Sequence, residues 1–295
     1  MRNLFATFVA LASLVAVAEE APAAAGVETA VAPPPAAPPP AAPPDDGVCA
    51  QWASHGMPEG AASLGYFQAD VSTGRRACPR TEIGLGARFG AIIDVPNFYG
   101  NLGVNGLVFG SWAVNKRLEL FATLEAVNFT YLQTAVKQTQ LTFGNLTVGA
   151  TWLAYQSSTF GGAASVRLLL PTSFEIPNAR VFGAELGHAS TWRPMGWLEV
   201  HSYLGVDFSM GLSAGAPYPW LGGVLMVGAQ LVPTSWFSVV VDASGHLGPI
   251  SYLAPTVALR FKVSSLGIEL AGTLPLLGSD RHDFIMGARF SWRFD

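Results

Sequence analysis

Charge is what this sequence most lacks. Asp, Glu, Lys and Arg together make up 12% of it, about half the roughly 25% usual in a soluble globular domain. Beside a hydrophobic share of 50% and a mean hydropathy of +0.35, that deficit excludes chain-wide disorder and a coiled coil, and it fits an ordinary cytosolic enzyme poorly. The formal net charge of −4 leaves no basic surface, so no nucleic-acid partner is expected. Long hydrophobic runs are missing as well. Trp220 to Val232 carries no charge but is short and holds three glycines, whereas a membrane-spanning helix needs about 20 apolar residues. There are two cysteines, Cys49 and Cys78, and His55 between them stands alone. His188, His201, His246 and His282 fall on different expected elements, so no metal is expected, and no phosphate-cradling Gly loop is present to suggest a nucleotide or other cofactor.

What is there begins with a basic residue, Arg2, an uncharged stretch from Leu4 to Ala18, and a small-x-small ending at Ala16-Val17-Ala18. This is the pattern of a secretory signal peptide over residues 1–18, cleaved after Ala18. Residues 19–46 are dominated by Ala and Pro, with nine prolines. Such a composition favours an extended, semi-rigid spacer, long enough to contact the cell wall. Residues 47–81 contain both cysteines, and in an exported chain the expected outcome is one Cys49 to Cys78 disulfide closing a small periplasmic or plug segment.

From residue 82 onward the period is two. Phe284, Met286, Ala288, Phe290, Trp292 and Phe294 share one face, and Ile285, Gly287, Arg289, Ser291 and Arg293 the other. Ile83, Leu85, Ala87 and Phe89 alternate in the same way with Gly84, Gly86, Arg88 and Gly90. Twelve such segments are expected: 82–94, 102–114, 118–131, 141–155, 163–170, 181–192, 197–212, 220–232, 236–246, 252–263, 266–274 and 284–294. Tight connections such as Asn115-Lys116-Arg117 and Ser264-Ser265 alternate with longer ones such as Pro171 to Arg180 and Pro275 to Asp283. An even strand number with alternating short turns and longer loops is the pattern of a transmembrane antiparallel β-barrel. In a water-soluble barrel the charges would sit outside; here the continuous face is Leu, Val, Ala and Phe, so lipid is expected outside and the charges inside. Trp112, Tyr131, Trp152, Trp192, Trp197, Trp220, Trp236, Tyr252, Phe284 and Trp292 fall near strand ends, where aromatic girdles lie. Proline agrees: Pro194 and Pro233 are expected in connections, and Pro255 suggests a strand beginning after it.

The run Gly287-Ala288-Arg289-Phe290-Ser291-Trp292-Arg293-Phe294 resembles the carboxy-terminal assembly signal of bacterial outer-membrane β-barrels, with Gly287, Phe290, Trp292 and Phe294 at the signal positions. Asp295 after the last Phe departs from that pattern. The resemblance names a superfamily, porin-like in architecture, over 82–295. It implies the outer membrane of a Gram-negative bacterium as location, with outer-membrane lipid and the barrel-assembly machinery as partners.

Strand parity assigns the interior ionisable set: Arg88, Glu119, Glu125, Arg167, Glu185, Glu199, His201, Asp207, Asp242, Arg260, Lys262, Glu269, Arg289 and Arg293. His201 apart, these are seven acids and six bases. The balance argues against a filter of one sign. Acids dominate the middle strands and bases the first and last, so pairing across the barrel is expected. The expected function is passive transport of small solutes or ions through a charged lumen. A structural or surface-interaction barrel with an occluded lumen is the alternative, and an outer-membrane hydrolase a distant one. For hydrolysis the candidate is Asp242, Ser244 and His246 on one strand face. Positions two apart lie about 7 Å from one another at Cα and the trio points inward, so no catalytic residue is assigned.

Overall fold

The computed structural model describes residues 77–94, 99–133, 137–172, 181–211, 219–248, 251–277 and 284–294. The expected leader and spacer, and the segment before Ala77 with Cys49, lie outside them. Among the described residues there is no helix.

The elements are β1 (Thr81–Asp94), β2 (Tyr99–Ala113), β3 (Leu118–Gln133), β4 (Lys137–Thr142), β5 (Leu146–Gln156), β6 (Phe160–Leu170), β7 (Val181–Met195), β8 (Leu198–Gly211), β9 (Trp220–Thr234), β10 (Phe237–Leu247), β11 (Tyr252–Val263), β12 (Leu266–Thr273) and β13 (Phe284–Phe294). Each pairs antiparallel with its neighbour, and β1 pairs with both β2 and β13, so the sheet closes on itself. β4 and β5 run along successive parts of the same partner: β4 pairs with Asn128–Gln133 and β5 with Leu118–Leu124 of β3. They are two halves of one barrel strand, so the barrel has twelve. The interruption coincides with an irregularity in β3 between Glu125 and Val127. There the backbone of Glu125 turns to bond Gly144 and Asn145 instead.

Alternation follows from the two solvents the wall meets. Along β8 every second residue from His201 to Ser209 is buried, and its neighbours Ser202, Leu204, Val206, Phe208 and Met210 are exposed. The buried face lines the interior of the closed barrel. Trp112, Trp152, Trp192, Trp197, Trp236 and Trp292 are all exposed at the end that carries the short turns, while Tyr131, Tyr252 and Phe284 lie toward the other end. A ring of outward aromatics therefore marks the short-turn rim, while at the other end Tyr131 and Phe284 face outward and Tyr252 turns inward to stack on His246.

Three prolines sit inside strands rather than in the connections. Pro194 and Pro233 occupy the last turns of β7 and β9, beside register shifts where the ladder is already broken. Pro255 lies within β11, opposite Ala243 of β10. Its carbonyl accepts from Leu274, so its nitrogen points to the β12 side, just past the paired segment that ends at Thr273. The missing donor thus costs one bond, the reciprocal of the one Leu274 gives to Pro255, at the margin of the β11 to β12 ladder.

Candidate functional site

The interior wall is polar to an extent an ordinary core never is. Glu119, Arg167, Glu185, Asp207, Asp242 and Glu269 are each at most 3% exposed. Buried charges persist only when paired and hydrogen-bonded, and the partners are here. Arg88 reaches Glu125 at 2.9 Å, Arg193 reaches Glu199 at 2.6 Å and Arg260 reaches Glu269 at 2.6 Å. Arg167 lies 3.1 Å from Glu185, which also accepts from the Tyr203 hydroxyl. Arg260 donates further to Gln230 at 2.9 Å, and Gln230 to Ser238 at 2.9 Å. At the short-turn rim, Glu82 sits 3.1 Å from Arg80 and 3.6 Å from Arg293, and the Arg80 backbone donates to Glu119 at 2.6 Å.

β9 is built to let two more pairs pass over it. His201 of β8 meets Asp242 of β10 at 2.5 Å, and Asp207 of β8 meets His246 of β10 at 2.9 Å. Neighbouring strands are about 4.8 Å apart, so each pair spans a whole strand, and each crosses at a glycine. A methyl group on Gly228 would overlap Asp242 Oδ1 and lie 2.6 Å from His201 Nε2. One on Gly222 would lie 2.5 Å from both Asp207 Oδ1 and His246 Nε2. Between the two glycines, inward-facing Met226 packs with Tyr203 and Ala189.

Of the residues assigned inward by parity, Arg88, Glu119, Glu125, Arg167, Glu185, Glu199, His201, Asp207, Asp242, Arg260, Glu269, Arg289 and Arg293 are buried, and Lys262 is half-buried. Each ion pair described above joins adjacent or next-but-one strands, or residues next to each other at a rim. The expected pairing of signs across the barrel is therefore corrected: the charges run around the wall as a belt. Physical reach explains it, since an Arg and a Glu together span about the width of two strands, not a barrel diameter. Parity missed Glu82, Arg80 and Arg193. Glu82 lies at the strand margin, Arg80 precedes the strand, and Arg193 falls in a stretch read as a turn but occupies β7 beside its register shift. With them the interior holds, among the described residues, eight acids and eight bases, seven plus Glu82 and six plus Arg80 and Arg193.

Asp242, Ser244 and His246 do share the buried face, but the two outer members bond away to β8 and Ser244 donates to the Ala254 carbonyl at 3.2 Å. They form no nucleophile and base pair. Among the described residues no group of three or more His, Cys, Asp or Glu could hold a metal. Cys78 is buried and disulfide-bonded. Gly287 of the terminal run faces inward, while Phe290, Trp292 and Phe294 point outward, about half exposed, on the strand that closes the barrel against β1.

No protein-family model and no curated protein matches this sequence. Among solved structures, the chain is similar to an outer membrane channel from Pseudomonas putida F1, with a TM-score of 0.57 and 11% identity over 73% of this chain and 96% of that one. It is also similar to the KdgM porin, with a TM-score of 0.50 and 10% identity over 72% and 99% of the two chains. The chain thus shares with these two proteins its fold, a closed antiparallel β-barrel.

Proposed function

We propose that this barrel resides in the outer membrane of a Gram-negative bacterium and passes small solutes or ions through its interior without an energy source. The observation that carries the reading is the belt of eight acids and eight bases among the described residues of the inner wall, set against an apolar outer wall. A belt so balanced leaves little net field along the axis, so weak discrimination between cations and anions is expected. The likeness in fold to a channel and a porin supports the class of function and says nothing of the solute. On this reading the interior is a passage and not a catalytic site, since its one Ser, His and Asp grouping is divided among other partners.

A second reading, an occluded barrel serving as scaffold or surface contact, is favoured by one observation. The inner charged side chains are mostly at or below 9% exposure, and Ala77, ahead of β1, packs at 0% exposure against Leu153 of β5 and Ala163 of β6. Residues 77–80, just ahead of β1, therefore sit in the barrel's mouth at the short-turn end. Swelling of vesicles in isotonic sugar or amino-acid solutions separates the two. Swelling by the intact protein supports the passage. Swelling only by a chain lacking residues 19–76 supports occlusion, and none from either, with the barrel folded and inserted, overturns transport.

A further inference from the structure

Among the described residues of β6 to β13 the outer wall carries one polar patch. From β6 to β13 every described outward position is Gly, Ala, Pro or a larger apolar side chain, except His188 and Ser190 of β7 and Ser202 of β8. His188 is the one ionisable group among them, and polar groups in a lipid-facing position are expensive enough to ask for a reason. The exceptions are also neighbours. Ser190 and Ser202 are directly opposite in the ladder. Ser190 Oγ lies 3.3 Å from His188 Nδ1, and the Tyr155 hydroxyl of β5 lies 3.3 Å from His188 Nε2. Tyr155 gets there by crossing β6 at Gly162, where a side chain would collide with its ring, and it stacks on His188 with centroids 5.9 Å apart and planes 22° apart. Two residues apart on one strand face, a Ser and a His meet here because the stack turns the imidazole along the strand. A hydroxyl against one ring nitrogen, with the other nitrogen held by a third group, is the arrangement a nucleophilic serine requires.

We propose that Ser190, His188 and Tyr155 form a reactive site on the lipid-facing wall, in which Ser190 is acylated by the carboxylic esters of bilayer lipids and then hydrolysed. The site rests on the membrane placement proposed above. Ser190 is one outward step, about 7 Å, from Trp192, and Trp rings sit at headgroup level, so the hydroxyl meets the depth of the glycerol esters. His188 Nδ1 takes the proton as Ser190 Oγ bonds to the carbonyl carbon and the π pair moves onto oxygen, with Ser202 opposite to donate to that oxygen. Collapse breaks the bond to the glycerol oxygen, which receives the proton from His188. Water then attacks the acyl-serine with His188 again taking and returning the proton, releasing fatty acid and free Ser190. Tyr155 is a positioning residue that holds the ring through Nε2.

The test uses the full-length protein in phosphatidylethanolamine and phosphatidylglycerol vesicles, treated with a fluorophosphonate probe and mapped by peptide mass spectrometry. An adduct is expected at Ser190, absent in Ser190→Ala and at least ~100-fold slower in His188→Phe, which keeps the stack but removes the base. In Tyr155→Phe, hydrolysis of a p-nitrophenyl ester is expected to lose kcat about tenfold at unchanged KM. Protein that floats with the vesicles and shows the folded gel mobility, yet gives no Ser190 adduct, overturns this proposal alone. So does an adduct that forms equally fast in His188→Phe. Protein that fails to float overturns the membrane placement and this site with it.

Discussion

At position 228 the side chain is a single hydrogen, and the pair passing over it leaves room for nothing else. Gly228→Ala is therefore expected to push His201 and Asp242 apart, although neither residue is changed. A buried polar group that loses its hydrogen-bond partner costs about 1–3 kcal/mol, and a loss of that order is the expected result in urea unfolding from vesicles. Gly272 of β12 is the control: a methyl group there meets nothing within 4 Å, and Gly272→Ala should change stability by less than about 1 kcal/mol. Equal losses at the two positions would show that the glycines serve strand flexibility and not the crossing. The pairs themselves could not be read from the sequence. Parity put His201, Asp207, Asp242 and His246 on the inner face, but which His meets which Asp depends on a glycine in the strand between, and one glycine looks like another in a chain with 32 of them.

The strand is the scale at which the sequence spoke most clearly. Two solvents, one on each face, impose period two, and that period survives any error in end residues. Leu204, midway along β8 and 67% exposed, stands on the lipid side. Leu204→Arg is expected to destabilise the inserted barrel by about 2–4 kcal/mol, measured by the same unfolding titration; no change would place that face in water. Strand interruptions were harder to read. The break between β4 and β5 arises because Glu125 of β3 turns its backbone to Gly144 and Asn145, a tertiary choice with no periodic signal. Arg193 was lost for a related reason: Pro194 marks a turn by propensity, yet the register shift lets β7 run on through it. The outward patch of Tyr155, His188 and Ser190 was equally hidden, since only the fold brings β5 across β6 to β7.

For the molecule as a whole, closure gives every described strand but β4 two partners, which leaves little edge among the described residues to pair with another chain. On the proposed function, the apolar wall and the aromatic rim at the short-turn end set the barrel's place in a bilayer, and the compensated belt inside sets what sort of passage it offers. Single-channel recording of the full-length protein in a planar bilayer tests this most directly. Discrete, ohmic current steps are expected, with a reversal potential close to zero in a tenfold salt gradient because acids and bases balance on the inner wall. Folded, inserted protein that gives no steps, or steps strongly selective for one sign of ion, would contradict a charge-balanced passage.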